Sequence, residues 1–318
     1  MLTNTFVLYL STVLIWGSTF IAIPLQLGEV PGDVSIAYRF GLAALVLMVW
    51  CHVTRRNMKF GVRQHLWMAG QGLMLFGFNY MLVYQAAADI TSGLIAVVFS
   101  TIIVMNIVNG ALFFGNRVSR TVIVGAAFGL VGICLVFLPE IRALDADGAT
   151  LRAIILSLVG TFITSFGNML SVRNQSSKLP IMQSNAYGMA YGALVLALIA
   201  WGRGELFVFE ASWTYTGSLI YLALVGSVLG FGSFLTLLGR IGPERAAYCM
   251  VLFPVVALAL STVFENYHWT GEAVAGVSLV LAGNLLVIMP KEQLQRVLRI
   301  VRPALSRTIE SAPRDDGQ

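Results

Sequence analysis

Long apolar runs, separated by short polar or charged stretches, fill most of the chain. Each run holds roughly 20 mainly apolar residues, which is the length that an α-helix needs to cross the hydrocarbon core of a bilayer. The pattern therefore predicts ten membrane-crossing helices, five on each side of the polar stretch PEIRALDADGAT. The runs lie near residues 5–27, 34–53, 65–85, 90–114, 121–138, 151–172, 181–201, 216–238, 244–264 and 271–289.

The composition excludes a soluble domain as the main body of the protein. Of the 318 residues, 58% are hydrophobic and 11% are charged, whereas soluble domains carry about 25% charged residues. The lipid bilayer is the predicted environment. The cysteines Cys51, Cys134 and Cys249 lie in apolar runs, without the spacing of a disulfide framework or a metal site. They are interpreted as packing residues, and the sequence indicates no cofactor and no metal.

Lysine and arginine are distributed unevenly between the loops. With the N-terminus placed inside, the outer loops hold only Arg142, Arg152 and Arg203. Because loops rich in lysine and arginine stay on the cytoplasmic side, both termini are predicted to be cytoplasmic in a multi-pass protein of the cell inner membrane. The net charge of +5 then faces anionic lipid headgroups, so it does not imply nucleic acid as a partner. The inner loops hold Arg55, Arg56, Lys59, Arg63, Arg117, Arg120, Arg173, Lys178, Arg240 and Arg245.

The C-terminal tail, residues 291–318, is basic and amphipathic. In KEQLQRVLRIVRPALSR the apolar and the basic residues fall on opposite faces of a helix, which predicts a segment lying on the inner membrane surface. A solvated stub is an equally good interpretation, and the tail is assigned no activity.

The two halves of the chain share a glycine pattern at an offset of 151 residues. Two glycines seven residues apart lie on nearly one helix face, where a missing side chain lets another membrane helix approach closely. These glycines are therefore interpreted as helix-packing residues, with chance similarity as the alternative explanation of the match. The matched residues are Gly125 with Gly276, Gly132 with Gly283, and Pro139 with Pro290.

A unit of five helices that occurs twice must enter the membrane from opposite sides in its two copies. The predicted fold is therefore an all-α integral membrane protein with ten transmembrane helices arranged as two inverted five-helix repeats. Inverted repeats are typical of transporters that work by alternating access. The predicted divisions are a first repeat at 1–139, an outer connecting loop at 140–150, a second repeat at 151–290 and the tail.

Several short motifs, in this order, resemble the EamA branch of the drug/metabolite transporter superfamily. They are Trp16-Gly17-Ser18-Thr19-Phe20, Arg39-Phe40, Pro254 and GEAVAGVSLVLAGNLLV. The resemblance covers Phe6 to Pro290 and implies a ten-helix transporter of small metabolites, commonly an exporter of amino acids or related compounds. The chain departs from the family pattern where Ile103 is the counterpart of Pro254, and where Asn116 and Tyr267 replace an acidic residue.

Polar and aromatic residues in the middle of apolar runs give a first map of a transport path, because such residues are costly unless they face a cavity or one another. Aromatic rings provide contact area for a flat or apolar substrate, although contacts with lipid or between helices explain these positions as well. The predicted substrate-binding residues are Trp16, Ser18, Asn79, Tyr80, Tyr84, Ser100, Asn168 and Tyr248.

Two further residues stand out within the apolar runs. Arg39 lies near the outer end of the second run, so it is interpreted as an anchor that reaches headgroups or Asp33, with substrate binding as the alternative. Pro254 interrupts helical hydrogen bonding and is interpreted as a hinge, with a tolerated bend as the alternative. No carboxylate lies in the middle of a run, so an Asp or Glu proton relay has no support.

An intramembrane enzyme is the chief alternative, and a channel or receptor is the next. Neither HExxH nor GxSxG occurs, and His52, His65 and His268 lie at the ends of runs, so no enzyme is predicted. No selectivity-filter repeat is visible either. The sequence thus favours a carrier that exports a small metabolite, and a homodimer is left open.

Overall fold

The computed structural model describes residues 5–115, 120–136, 138, 148–234, 236–237 and 248–288. This part of the chain forms ten helices and no strand, and each of the ten apolar runs coincides with one helix. The predicted all-α class is confirmed. The tail and most of the connecting loop lie outside the described residues. The helices are α1 (Thr5–Ala22), α2 (Gly32–Val53), α3 (Val62–Ala86), α4 (Ser92–Phe114), α5 (Arg120–Val136), α6 (Ala149–Ser176), α7 (Ile181–Gly202), α8 (Trp213–Phe234), α9 (Tyr248–Phe264) and α10 (Gly271–Ile288).

Seven of these helices, α1 to α4 and α6 to α8, are long and apolar enough to cross a bilayer. Helices α5, α9 and α10 have shorter apolar segments within the described residues. Bulky apolar side chains such as Leu112, Trp201 and Val263 are exposed on the outside of the bundle. So much exposed apolar surface is unstable in water but fits a lipid environment. The chain is therefore membrane-embedded.

Local sequence explains where several helices begin and end. A proline, Pro31 or Pro180, immediately precedes α2 and α7, where its missing N–H costs no helical hydrogen bond. Asp33 places a negative charge in the first turn of α2, where the helix dipole favours it. Helix α4 ends at Gly115, which adopts a left-handed conformation with φ of 72°.

Helices α3 and α8 each contain a stretch of π-helix. In α3 this stretch is Leu73–Phe78, and in α8 it is Tyr221–Leu229. The two stretches overlap when the chain is shifted by the same 151 residues that align the glycines. A π-helical turn widens the helix and changes which side chains face inward after it.

The closest helix pairs meet at glycines. A Cβ atom on Gly132 of α5 would lie 2.6 Å from the carbonyl oxygen of Gly276 of α10, and one on Gly283 would lie 2.7 Å from the carbonyl oxygen of Gly125. The four glycines predicted to pack thus lie along one contact, here called the glycine seam. Only a missing side chain permits two backbones to approach this closely.

At the helix ends predicted to face outside, polar contacts join the first five helices to the last five. Arg203 binds Asp33 at 2.6 Å, which joins α7 to α2, and Arg152 binds Asp89 at 2.7 Å beside α6 and α3. The backbone N–H of Ser92 in α4 donates to the carboxylate of Glu265, which follows α9, at 3.0 Å. These three contacts are together called the outer clasp.

Candidate functional site

A cavity of about 90 Å³ lies in the centre of the bundle. Its walls come from α1, α3 and α4 of the first five helices and from α6, α7, α8 and α9 of the last five. None of its lining residues is ionisable except tyrosine. The lining consists of Trp16, Thr19, Phe20, Ile23, Leu75, Asn79, Tyr80, Val83, Phe99, Ile102, Thr164, Asn168, Ser171, Asn185, Phe231, Phe234, Met250 and Phe253.

Aromatic rings form much of this wall. The Trp16 ring lies 5.3 Å from Phe231 and 4.9 Å from Phe234, measured between centroids. On another side, Phe20 and Phe253 are stacked with their centroids 5.5 Å apart. Such faces offer apolar contact and attract cations such as ammonium groups.

A polar strip on α6 faces the aromatic rings. Thr164, Asn168 and Ser171 are spaced by four and three residues, so they share one face of the helix. Asn79 donates to the Thr164 hydroxyl at 2.9 Å, and Asn168 donates to the side-chain oxygen of Asn106 at 3.2 Å. These bonds fix the orientation of the amides, so the cavity presents a defined set of hydrogen-bonding groups.

Below the cavity, toward the predicted cytoplasmic side, amide side chains form a chain across three helices. Gln71 of α3 donates to Asn185 of α7 at 3.1 Å, and Asn174 of α6 donates to Gln71 at 2.9 Å. All three side chains are buried. The cavity therefore ends in a network that joins α3 of the first half to two helices of the second.

Arg39 lies behind the cavity wall rather than at the membrane surface. Its guanidinium lies 4.5 Å from the centroid of the Tyr80 ring, and only 1% of the residue is exposed. Its Nε donates to the Ser227 hydroxyl at 3.3 Å, and its Nη2 donates to the Tyr80 hydroxyl at 3.5 Å. The expected contact with headgroups or Asp33 is wrong, because Asp33 pairs with Arg203 instead.

Four residues predicted from the sequence line the cavity: Trp16, Asn79, Tyr80 and Asn168. They come from three helices, and the fold brings them together around one space. Tyr248 begins α9, but its side chain lies outside the described residues. Its place at the site stays a prediction.

Three other predicted residues lie away from the cavity. Ser18 faces Tyr221, with 2.5 Å between the two hydroxyl oxygens. Ser100 is fully buried and donates to the carbonyl oxygen of Val97 at 2.7 Å, which satisfies its hydroxyl inside α4. Tyr84 is buried beside Arg39 and does not reach the cavity.

The substrate-binding residues predicted from the sequence include none of the phenylalanines in the wall, and neither Thr19, a neighbour of the predicted Ser18, nor Asn185. A phenylalanine in an apolar run carries no signal that separates a cavity position from a lipid-facing one. Asn185 did carry a signal, because an amide near the end of an apolar run needs partners.

Pro254 lies inside α9, next to the cavity residue Phe253. Because proline has no N–H, the carbonyl group one turn before it loses its helical partner. Helix α1 approaches at the same level, since a Cβ atom on Gly17 would lie 3.1 Å from the Phe253 carbonyl oxygen. The hinge role of Pro254 stays a prediction.

Comparison with known proteins agrees with this architecture. The sequence model of the EamA-like transporter family matches residues 4–138 and again residues 151–289. A probable amino-acid metabolite efflux pump of Salmonella typhimurium is 28% identical over 87% of this chain and 92% of its own length. The pump of the same description in Escherichia coli is 26% identical over 87% and 92%.

Two further similarities extend over nearly the whole chain. The uncharacterized inner membrane transporter YedA of Escherichia coli is 27% identical over 94% of both chains. One protein crystal structure superimposes with a TM-score of 0.68 at 15% identity, covering 92% of this chain and 98% of its own. The identity to that structure is low, so this match establishes a shared fold and no more.

Proposed function

Because this chain belongs to the EamA-like transporter family, we propose that it exports an amino acid or a related small metabolite across the inner membrane by alternating access. The observation that carries the proposal is the central cavity, to which helices of both halves contribute. The family and the names of the relatives indicate a transporter rather than an enzyme. The cavity suits a small substrate because it combines aromatic faces with fixed amide and hydroxyl groups.

The glycine seam supports two repeats of opposite orientation. Its contacts pair Gly132 with Gly276 and Gly125 with Gly283. As the residue number rises along α5, it falls along α10, so the two helices run antiparallel. Since α5 and α10 occupy the same position in their repeats, antiparallel packing is what an inverted arrangement requires.

Several other helix pairs are consistent with the same symmetry. The symmetry relates α1 to α6, α2 to α7, and so on to α5 and α10, so each contact between two helices should have a counterpart between their two equivalents. The contact of α1 with α9 has its counterpart in α6 with α4. The contact of α3 with α6 has its counterpart in α8 with α1, and that of α3 with α7 in α8 with α2. A bundle whose halves can exchange environments has the property that alternating access needs.

The outer clasp supports a cycle in which the described conformation is closed toward the outside. Its contacts join Asp33 to Arg203, Asp89 to Arg152 and Ser92 to the carboxylate after α9, and each crosses between the halves. Release of a substrate outward therefore requires these contacts to separate. The cations of both ion pairs, Arg152 and Arg203, are more than half exposed, so water replaces part of each contact when the clasp opens.

Transport is tested in proteoliposomes that contain the purified protein, by uptake and counterflow of a panel of labelled amino acids. We expect saturable exchange that Asn168→Ala and Tyr80→Ala abolish or strongly reduce. Tyr38→Ala is the matched control, because Tyr38 lies on α2 outside the cavity and its hydroxyl donates to the Val208 carbonyl oxygen. Folded protein that exchanges none of these compounds contradicts the proposal, and flux that does not saturate indicates a channel.

The predicted topology, with both termini cytoplasmic, has its own test. In a variant without native cysteines, Phe207→Cys and Lys59→Cys place single thiols in exposed loops on opposite sides. A membrane-impermeant thiol reagent added to whole cells should label the first and spare the second. The reverse labelling contradicts the topology while leaving the transport assay unaffected.

A further inference from the structure

Arg39 is a fully buried cation within a membrane-spanning helix. Its residue is 1% exposed, and a guanidinium keeps its charge under all conditions in proteins. A charge removed from water is costly unless a partner of opposite sign compensates it. The structure therefore raises the question of what compensates Arg39.

Among the described residues, neutral groups surround the guanidinium. Its hydrogen-bond partners are the hydroxyls of Ser227 and Tyr80, and its other close neighbours are the rings of Tyr80 and Phe40. Within the described chain, no carboxylate lies within 4.0 Å of Arg39, and the candidate on its own helix, Asp33, is held by Arg203.

Two buried polar groups in this region have no hydrogen bond of 3.5 Å or less. They are Nη1 of Arg39 and the hydroxyl of Tyr84. The two lie beside each other, since the Tyr84 hydroxyl interacts with the charge of Arg39 and accepts a longer hydrogen bond from it. A buried positive charge beside a phenol hydroxyl forms a site that suits an anion with two acceptor oxygens, which would take a hydrogen bond from each group in place of this longer contact.

The site adjoins the cavity. Tyr80 lines the cavity, and the same residue contacts the guanidinium through its ring and through a 3.5 Å hydrogen bond. Thr19, another lining residue, lies with Arg39 against the same glycine, since a Cβ atom on Gly226 would be 2.7 Å from Thr19 Cγ2 and 3.6 Å from Arg39 Nη2. Tyr80 thus contacts both the cavity and the buried charge.

We propose that Arg39 is the residue by which the transporter recognises the carboxylate of its substrate. The inference rests on the proposed function, in which the substrate is an amino acid or a related compound, and adds the residue that binds its carboxylate. When the Tyr80 side chain moves aside, a carboxylate accepts hydrogen bonds from Arg39 and Tyr84, and the aromatic wall receives the ammonium group or the side chain. The guanidinium geometry matches a carboxylate in the bidentate manner.

The test compares each acid with its carboxamide, which keeps the α-amino group and the side chain but replaces the carboxylate with a neutral amide. Counterflow of a labelled amino-acid mixture into wild-type proteoliposomes is measured with unlabelled leucine or phenylalanine, and with leucinamide or phenylalaninamide, as competitors. We expect the acids to compete at least tenfold better than the amides, as the loss of a charged hydrogen-bonded pair implies. Arg39→Gln should abolish that preference, and Arg39→Lys should keep part of it.

Arg56→Gln is the matched control, because it removes the same charge just beyond the inner end of the same helix, where the residue is exposed. If acids and amides compete equally well in the wild type, the role of Arg39 is contradicted but the proposed transport function is not. If Arg39→Gln still prefers acids over amides, the role of Arg39 is contradicted as well. If the wild type shows no saturable exchange, the proposed transport function itself is contradicted. If Arg39→Gln does not fold, the wild-type competition decides, with thermal stabilisation by the acid but not the amide as supporting measurement.

Discussion

The glycine seam gives a sharp prediction because two glycines on one helix differ in what their missing side chains would meet. A Cβ atom on Gly132 would lie 2.6 Å from the Gly276 carbonyl oxygen and 2.9 Å from the Val280 backbone nitrogen. A Cβ atom on Gly129, three residues earlier, has nothing within 4 Å. Alanine should therefore destabilise the protein at position 132 and leave its stability intact at position 129.

The magnitude follows from the geometry. In Gly132→Ala the new methyl group meets backbone atoms, which cannot rotate away as a flexible side chain would. Helix α10 has to retreat by about 1 Å to restore the roughly 3.5 Å separation of non-bonded atoms. Such overpacking costs about 1–3 kcal/mol. The gain in helix propensity, about 1 kcal/mol for alanine over glycine, is the same in both variants, so their difference isolates the clash.

The assay is reversible unfolding of the purified variants in mixed micelles with rising dodecyl sulfate, followed by tryptophan fluorescence. We expect Gly129→Ala to equal or exceed the wild type in free energy of unfolding, and Gly132→Ala to lie about 1–3 kcal/mol below Gly129→Ala. Gly276→Ala should behave like Gly132→Ala, because its Cβ atom would lie 2.5 Å from the Gly132 carbonyl oxygen. Equal shifts in Gly129→Ala and Gly132→Ala would refute a close-packed seam.

Two further predictions concern the outer clasp. Arg203→Gln should lower the thermal midpoint of unfolding more than Asp33→Asn does. The first change leaves Asp33, whose side chain is 7% exposed, without its partner, whereas the second leaves Arg203, which is 51% exposed and stays solvated. A larger decrease in Asp33→Asn would contradict this reasoning. Glu265→Gln should lower the free energy of unfolding by roughly 2 kcal/mol, because the backbone N–H of Ser92 loses the charged acceptor that lies 3.0 Å away. The exposed Glu29→Gln is the control, and equal effects would be evidence against the contact.

The helices of this protein were predictable because their signal is local. Twenty apolar residues in a row define a membrane helix whatever it packs against, and the described residues contain a helix for every such run. The glycine repeat was visible for a similar reason, since a spacing of seven residues selects one helix face. What the spacing does not contain is the partner, and the pairing of Gly132 with Gly276 required the assembled bundle.

The site was less predictable because it depends on helix rotation. Ser18 and Thr19 are adjacent hydroxyls in one run, yet Thr19 lines the cavity and Ser18 faces Tyr221. The burial of Arg39 escaped prediction because its distance along the helix from the outer end allows either a headgroup contact or a buried one. Only the positions of α3 and α8 decide between the two.

The π-helical stretch of α3 bears on how substrate range can change in proteins of this architecture. Asn79 and Tyr80 follow Leu73–Phe78 directly, and both line the cavity. Because a π-helical turn holds about one residue more than an α-helical turn, the loss of a single residue from that stretch can be absorbed by a return to regular α-helix, which leaves the helix beyond it nearly in place. The side chains that change direction are then those within the stretch, among them the cavity residue Leu75. A one-residue change in length can therefore alter one wall of the cavity while Asn79 and Tyr80 keep their places.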